Sequence, residues 1–369
     1  MTGRRILVAG GGTAGHVFPG LALAGVLRDR GHEVRFLGTD RGQEMTLVPA
    51  AGFPLETVPS RPFVRALSPR ALEAPVAVFR ALGRCRPLAR AADVVVGMGG
   101  YASVPAVLAA RRERRPIVLH EQNAVTGLAN RVGGRFASAV GVSFAESRRW
   151  FPRRCRVEVT GNPVRDVIRA VPASRTKLTK AARQELGLEA GRQTVVLFGG
   201  SQGALHLNQA AAGAARLLAN RDDLQLIVLT GHVHHEAIAR SMPADTRLVI
   251  RTFAFLERME LIYSVADLVV SRSGATTIAE LTACGIPALL VPYPYATGRH
   301  QEANARALQR AGGASVLLDD EVTSETLAGR IEDLVGFPER LAAMAEASGA
   351  FGRPDAAEAL ADLVLETVR

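Results

Sequence analysis

Two glycine-rich segments, Gly10-Gly11-Gly12-Thr13-Ala14-Gly15-His16 and Gly199-Gly200-Ser201-Gln202-Gly203-Ala204, each follow an apolar run and precede a helix-like stretch. The runs are Ile6-Leu7-Val8-Ala9 and Val195-Val196-Leu197-Phe198. Consecutive apolar residues of this kind mark a strand covered on both faces, as at the centre of a parallel sheet. A strand that turns through glycines into a helix presents backbone N–H groups at its carboxyl end, where the helix dipole favours an anion. One such turn fits a nucleotide site. Two, in separate halves of the chain, predict two parallel sheets facing each other across a cleft.

A glycine turn can also serve packing alone, because glycine reaches positive φ and lets helix and strand approach closely. Gly10, Gly12 and Gly15 further match G-x-G-x-x-G, and Asp40 follows the second apolar run where a ribose-binding acid sits in dinucleotide enzymes. A NAD or flavin oxidoreductase is therefore the competing reading of the first loop.

At 369 residues the chain exceeds the usual size of one core, so two domains are expected. Apolar runs at 5–9, 33–37, 93–96, 116–120 and 138–142 alternate with helical patterns at 15–29, near Gln43, at 102–112 and at 124–135. The alternation restarts with strands at 194–198, 224–229, 247–250, 268–271 and 288–291 and helices at 204–219, 275–283 and 301–311. This is the βαβ order of doubly wound α/β sheets. Gly161-Asn162-Pro163 and the polar stretch with Pro172, Ser174 and Thr176 mark the boundary. The expected domains are 1–163 and 164–353, with a terminal helix at 354–369 that could belong to either, packing back on the first being one of the two options.

Charge divides unevenly between the halves. Residues 1–165 carry 25 Arg against 11 Asp and Glu, a net +14, whereas the remainder nets −4. Such asymmetry predicts an anionic partner for the first half. Within 61–90, seven arginines meet one acid, Glu73, and alternate with apolar residues including Phe63, Phe79 and Leu82. That pattern fits a helix lying in an anionic membrane interface, with Phe63, Phe79, Leu82, Arg80 and Arg84 as contacts. The plainer alternative is an amphipathic helix packed on its own domain. The segment holds no Tyr or Trp for base stacking, so nucleic acid is not the expected partner. No run of apolar residues is long enough to span a bilayer, and Met1-Thr2-Gly3-Arg4-Arg5 does not read as a signal peptide, so a cytoplasmic protein is expected. Cys85, Cys155 and Cys284 are too scattered for a disulfide framework or a zinc site, and neither metal nor cofactor is expected.

Polar residues gather at strand ends. His16, at the first turn of a helix, can stay neutral and act as a general base, or it can simply cap the loop. His120-Glu121-Gln122-Asn123 follows the run Ile117-Val118-Leu119. Thr277 and Glu280 have capping-box spacing, yet Glu280 could equally accept hydrogen bonds from a sugar diol while the helix start faces a phosphate.

These segments, together with Gly161-Asn162-Pro163-Val164-Arg165, occur in the order seen in the MurG family of bacterial N-acetylglucosaminyltransferases, and the chain resembles that family over essentially its whole length. The resemblance implies a GT-B fold of two Rossmann-like domains. It implies inverting transfer of GlcNAc from UDP-GlcNAc to the 4-hydroxyl of MurNAc in lipid I, giving lipid II for peptidoglycan. Another UDP-sugar transferase of the same fold is the nearest alternative. By the same resemblance, Arg165 and Ser201 contact the donor phosphates or nucleotide, and the Leu256 backbone contacts uracil. Ala275, Thr276, Thr277, Ile278, Ala279 and Glu280 form the pyrophosphate and ribose site, while Gln301 and Asn123 take the GlcNAc hydroxyls. Thr13, Ala14 and Gly15 form the opposing loop. His16 is the expected base, with Glu121 and His120 as alternatives. The implied location is the cytoplasmic face of the membrane, peripheral, beside other cell-wall synthesis and division proteins. Ala14 and the segment Pro292–His300 depart from the commoner family pattern.

Overall fold

Among the described residues, strand pairing is parallel in both halves of the chain. The computed structural model describes residues 3–59, 73–100, 102–200 and 204–368, with backbone alone at 14 and 73–80. Phe63 and Ser201 lie outside the described residues, as do the side chains of Ala14, Phe79 and Arg80. The chain divides into two compact units, Met1–Arg165 with Arg353–Arg369, and Asp166–Gly352.

Among the described residues of the first unit, seven strands are β1 (Arg5–Ala9), β2 (Glu33–Thr39), β3 (Leu55–Val58), β4 (Val94–Gly97), β5 (Ile117–Glu121), β6 (Ala139–Val142) and β7 (Arg156–Val159). Their order is β3-β2-β1-β4-β5-β6-β7. The second unit has β8 (Gln193–Phe198), β9 (Leu224–Leu229), β10 (Val249–Phe253), β11 (Leu268–Ser271), β12 (Ala288–Leu290) and β13 (Ala314–Val316), in the order β10-β9-β8-β11-β12-β13. Each unit is a Rossmann-like doubly wound sheet.

Alternate side chains of β1 explain why the strand is apolar without a break. Ile6 and Val8 pack with Leu23, Ala24 and Leu27 of helix Ala14–Asp29. Leu7 and Ala9 face the other way, against Ala81, Cys85 and Ala89 of helix Glu73–Ala91 and Ala106, Ala109 and Ala110 of helix Ser103–Arg112. Val195 and Leu197 of β8 pack with Leu207, Ala211 and Ala214 of helix Leu205–Leu217 and with Leu327 and Ile331 of helix Ser324–Val335.

Three strands were not legible as apolar runs. Leu55-Glu56-Thr57-Val58 and Arg156-Val157-Glu158-Val159 are edge strands, half exposed, and so carry charge on one side; β13 has three residues. The polar stretch expected as linker is also ordered: Pro172 opens helix Val171–Leu186, a position where its missing N–H costs nothing.

The chain's last helix, Ala356–Glu366, packs in the first unit, where Leu360, Leu363 and Val364 complete the core shared with Ile6 and Val8. A Cβ at Gly141 of β6 would come within 2.8 Å of Leu360 Cδ1, so helix and sheet are in close contact there. Leu360→Ala should destabilise the first unit by about 3 kcal/mol, mid-range for a fully buried leucine. Urea unfolding of the full chain, followed at the transition of that unit, measures it. A loss below about 1 kcal/mol would show that the helix adds little packing.

Candidate active site

Both glycine loops lie where strand order reverses. In the first sheet the chain leaves β1 toward β2 on one side, while β4 neighbours β1 on the other. In the second, β8 and β11 stand in the same relation. At such a point the connections leave on opposite sides and open a crevice at the carboxyl ends of the strands, where ligands bind in open α/β sheets.

The loop after β4 was missed by sequence reasoning. Met98-Gly99-Gly100 lies against the first glycine loop: a Cβ at Gly100 would sit 2.6 Å from Gly11 O, and one at Gly99 would sit 3.0 Å from His16 Cδ2. Only glycine permits this approach, the more so as both residues have positive φ. The available signal was the run Val94-Val95-Val96 leading into Gly97 to Gly100.

His16 is half-buried in the first turn of helix Ala14–Asp29, with Nδ1 3.2 Å from Thr13 Oγ1. Gly12 N–H donates to Glu44 Oε2 at 2.8 Å. A carboxylate thus sits against the loop that a dinucleotide pyrophosphate would have to approach, and its negative charge disfavours the oxidoreductase reading.

The His120–Asn123 motif is mostly a buried support. His120 Nε2 donates to Gly161 O at 2.9 Å, tying β5 to the Gly161–Arg165 segment. Burial pushes the imidazole down to about 4; the Gly161 bond opposes this, and the nearby His16 adds to it. Glu121 Oε1 accepts from Asn123 N–H at 2.9 Å, and Oε2 accepts from Gly127 N–H at 3.0 Å and Asn130 Nδ2 at 2.9 Å. Burial raises its carboxyl above the usual value, against the pull of those donors. Expected as alternatives for the base, His120 and Glu121 are instead enclosed and hydrogen-bonded to the loops they support. Asn123 and Arg165 are half-buried, and the Arg165 guanidinium lies over the Phe18 ring at 4.7 Å.

In the second unit, helix Ala275–Ala283 starts at Gly274, which provides no side-chain cap. The capping-box reading of Glu280 is thereby removed. Glu280, 6% exposed, lies further along the helix and accepts from Tyr263 O–H at 2.9 Å. Ser273 Oγ donates to Gln301 O at 2.8 Å and Asn304 Nδ2 to Ser273 O at 3.2 Å, so helix His300–Arg310 is tied to the start of helix Ala275–Ala283. Gln301 Oε1 accepts from Tyr293 N–H at 3.0 Å, which aims the amide. Beside Leu256, the exposed Phe255 ring stacks with His232, centroids 5.8 Å apart. This planar surface was not foreseen.

The basic apolar segment is described from 73 onward. Leu82 packs partly against its own domain core, Arg84 is exposed, and Arg86 and Arg90 pair with Glu113 at 2.8 and 2.9 Å. Part of the arginine excess is thus internally paired. A neighbouring surface went unnoticed in the sequence: Leu128, Val132 and Phe136 are 77%, 45% and 40% exposed, among Arg131 and Arg135, with Arg111 over the Phe136 ring at 5.9 Å. Their spacing of four residues was the signal. Among the described residues no helix is long and apolar enough to cross a membrane, and no group of three His, Cys, Asp or Glu could hold a metal ion.

Residues 6–142 match the glycosyltransferase family 28 N-terminal domain and residues 194–360 its C-terminal domain. A UDP-N-acetylglucosamine--N-acetylmuramyl-(pentapeptide) pyrophosphoryl-undecaprenol N-acetylglucosamine transferase of Halothermothrix orenii is 39% identical, covering 99% of both chains. A protein of the same description from Nocardioides sp. is 42% identical, covering 98% of both. The crystal structure of Acinetobacter baumannii MurG aligns with a TM-score of 0.76 at 30% identity, covering 98% of this chain and 99% of that one. The calicheamicin glycosyltransferase CalG4, at 17% identity and a TM-score of 0.66 over 100% of this chain and 98% of that one, shares the fold.

The buried imidazole of His120 makes a pH prediction. Its folded pKa, about 4, lies below the ordinary 6.5, so the unfolded chain binds the proton more readily and stability falls as pH drops through that window. The loss should be about 3 kcal/mol between pH 6.5 and pH 4, at ~1.4 kcal/mol per unit. Urea unfolding across that range should show the slope, and His120→Gln should flatten it. An unchanged slope in the variant would place the titration elsewhere.

Proposed function

The chain belongs to glycosyltransferase family 28, and we propose that it moves GlcNAc from UDP-GlcNAc to the 4-hydroxyl of MurNAc in lipid I, yielding lipid II for the cell wall. The observation that carries the donor half is the uncapped start of helix Ala275–Ala283 at the reversal point of the second sheet, with Glu280 buried further along it.

There the helix dipole stabilises the pyrophosphate of UDP, through the backbone N–H groups at 274–276, and gains strength as charge develops on the leaving group. Glu280, oriented by Tyr263, accepts from the ribose hydroxyls, since a carboxylate has lone pairs for both. Uracil lies at the Leu256 backbone, with the Phe255 ring available for stacking. Gln301 and Asn123 take hydroxyls of the sugar, and Ser201 and Arg165 the donor phosphates, assignments supported by the family resemblance.

The first unit takes the acceptor at Thr13, Ala14 and Gly15, the positive end of helix Ala14–Asp29. His16 removes the proton of the attacking hydroxyl. Of the three candidate bases it is the one the fold leaves partly exposed. The hydroxyl oxygen bonds to the anomeric carbon as the bond to UDP breaks, and the configuration inverts.

The first unit rests on the anionic cytoplasmic leaflet through the arginine-rich segment and the surface of Leu128, Val132 and Phe136. Apolar side chains ringed by arginine are the pattern of an interfacial contact.

His16→Ala should lower kcat at least ~100-fold, the lower range for a general base, while UDP-GlcNAc still raises the unfolding midpoint. Glu280→Gln should lose most of that thermal shift. Turnover surviving in His16→Ala would remove the base assignment. On the membrane side, changing Leu128 and Phe136 together to Ser should weaken sedimentation with vesicles containing anionic lipid. Equal sedimentation of variant and parent would count against that surface.

A further inference from the structure

Glu44 is a charged side chain, 1% exposed, that none of the donor or acceptor contacts above employs. It opens the short helix Glu44–Ala50, and its carboxylate turns back toward the end of β2 and the first glycine loop. Oε1 accepts from Thr39 N–H at 2.7 Å and from Thr39 O–H at 2.6 Å, and Oε2 accepts from Gly12 N–H at 2.8 Å. Burial alone would raise the carboxyl. The donors from Thr39 and Gly12 outweigh it and hold the group below the usual carboxylate value, so it is an anion at neutral pH.

The space around it is shaped for this one side chain. A Cβ added at Gly11, Gly38 or Gly42 would overlap the Glu44 side chain, so three stretches of bare backbone close on it. A narrow gap bordered by Glu44, His16, Val17, Phe36 and Met98 is too tight for a water molecule that could replace a lost contact.

The geometry points to Glu44 as a positioning residue for the transfer: its carboxylate clamps Gly12 to the end of β2, and so sets the turn from which Thr13 and His16 project. The inference rests on the reading of His16 as the base. A glycine loop has almost no side chains with which to hold itself, and an ionised carboxylate is a strong backbone acceptor. Preorganising a base matters because a displacement near 1 Å can cost on the order of 100-fold in rate.

Glu44→Gln keeps the shape but replaces one acceptor oxygen by an N–H₂ that faces the N–H of Gly12 or Thr39. Gly42→Ala pushes on the carboxylate without altering it. Steady-state kinetics with UDP-GlcNAc and a lipid I analogue, on the full chain, should show kcat reduced about 30- to 100-fold in either variant, with the KM for UDP-GlcNAc within about twofold of the parent. In a His16→Ala background the same changes should cost less than about threefold, because residues that act through one another are not additive. Unchanged kcat in whichever variant folds would overturn the proposal. So would a loss of equal factor with and without His16, the mark of general damage. If His16→Ala alone keeps its turnover, the base assignment fails first, and the single-variant split between kcat and donor KM still decides whether Glu44 positions the loop.

Discussion

The reversal of strand order between β1 and β4, and again between β8 and β11, is the constraint from which the rest of each unit follows. Parallel strands need crossovers, and right-handed crossovers place the helices on one face until the order turns. At the turn, two neighbouring connections depart on opposite faces, and the carboxyl ends of two central strands are left uncovered. Each unit puts its glycines there. The first uses them so that two loops can touch, Gly11 against Gly100, and in the second Gly274 is the residue from which helix Ala275–Ala283 starts after β11.

Polar groups at these points are held by backbone more than by opposite charge. Glu44 takes amides of Gly12 and Thr39, and Glu121 takes amides of Asn123 and Gly127. The two carboxyls nonetheless shift in opposite directions. At Glu121 burial outweighs the donors, and at Glu44 the donors, including the Thr39 hydroxyl, outweigh burial. Glu280 receives the Tyr263 hydroxyl in the second half of its helix. A loop built of glycine is pliable, and buried carboxylates supply the rigidity that such a loop lacks.

Much of the architecture was legible because parallel strands advertise themselves. β1, β8 and β11 are unbroken apolar runs, since both faces are covered, and the glycines that follow them mark the turn. The edge strands β3 and β7 were hidden by Glu56 and Glu158, which face solvent. The motifs of the site were legible too, but the parts played within them were not. His120, Glu121 and His16 all read as polar residues at strand ends. Their difference lies in burial, which depends on Gly161, Asn130 and Gly127, residues brought near by the fold.

By itself the sequence determined that the chain forms two doubly wound α/β units with a glycine turn at a central strand of each. It also located the arginine excess in the first half. Those features depend on local apolar runs, turn chemistry and composition, which are properties of neighbouring residues. Only the tertiary structure decided which acids are enclosed, that Gly99 and Gly100 join the first loop, that the final helix completes the first core, and that Glu44 closes on Gly12. Each of these depends on contacts between distant segments, where burial and hydrogen bonding, not residue type, settle what a carboxylate or an imidazole can do.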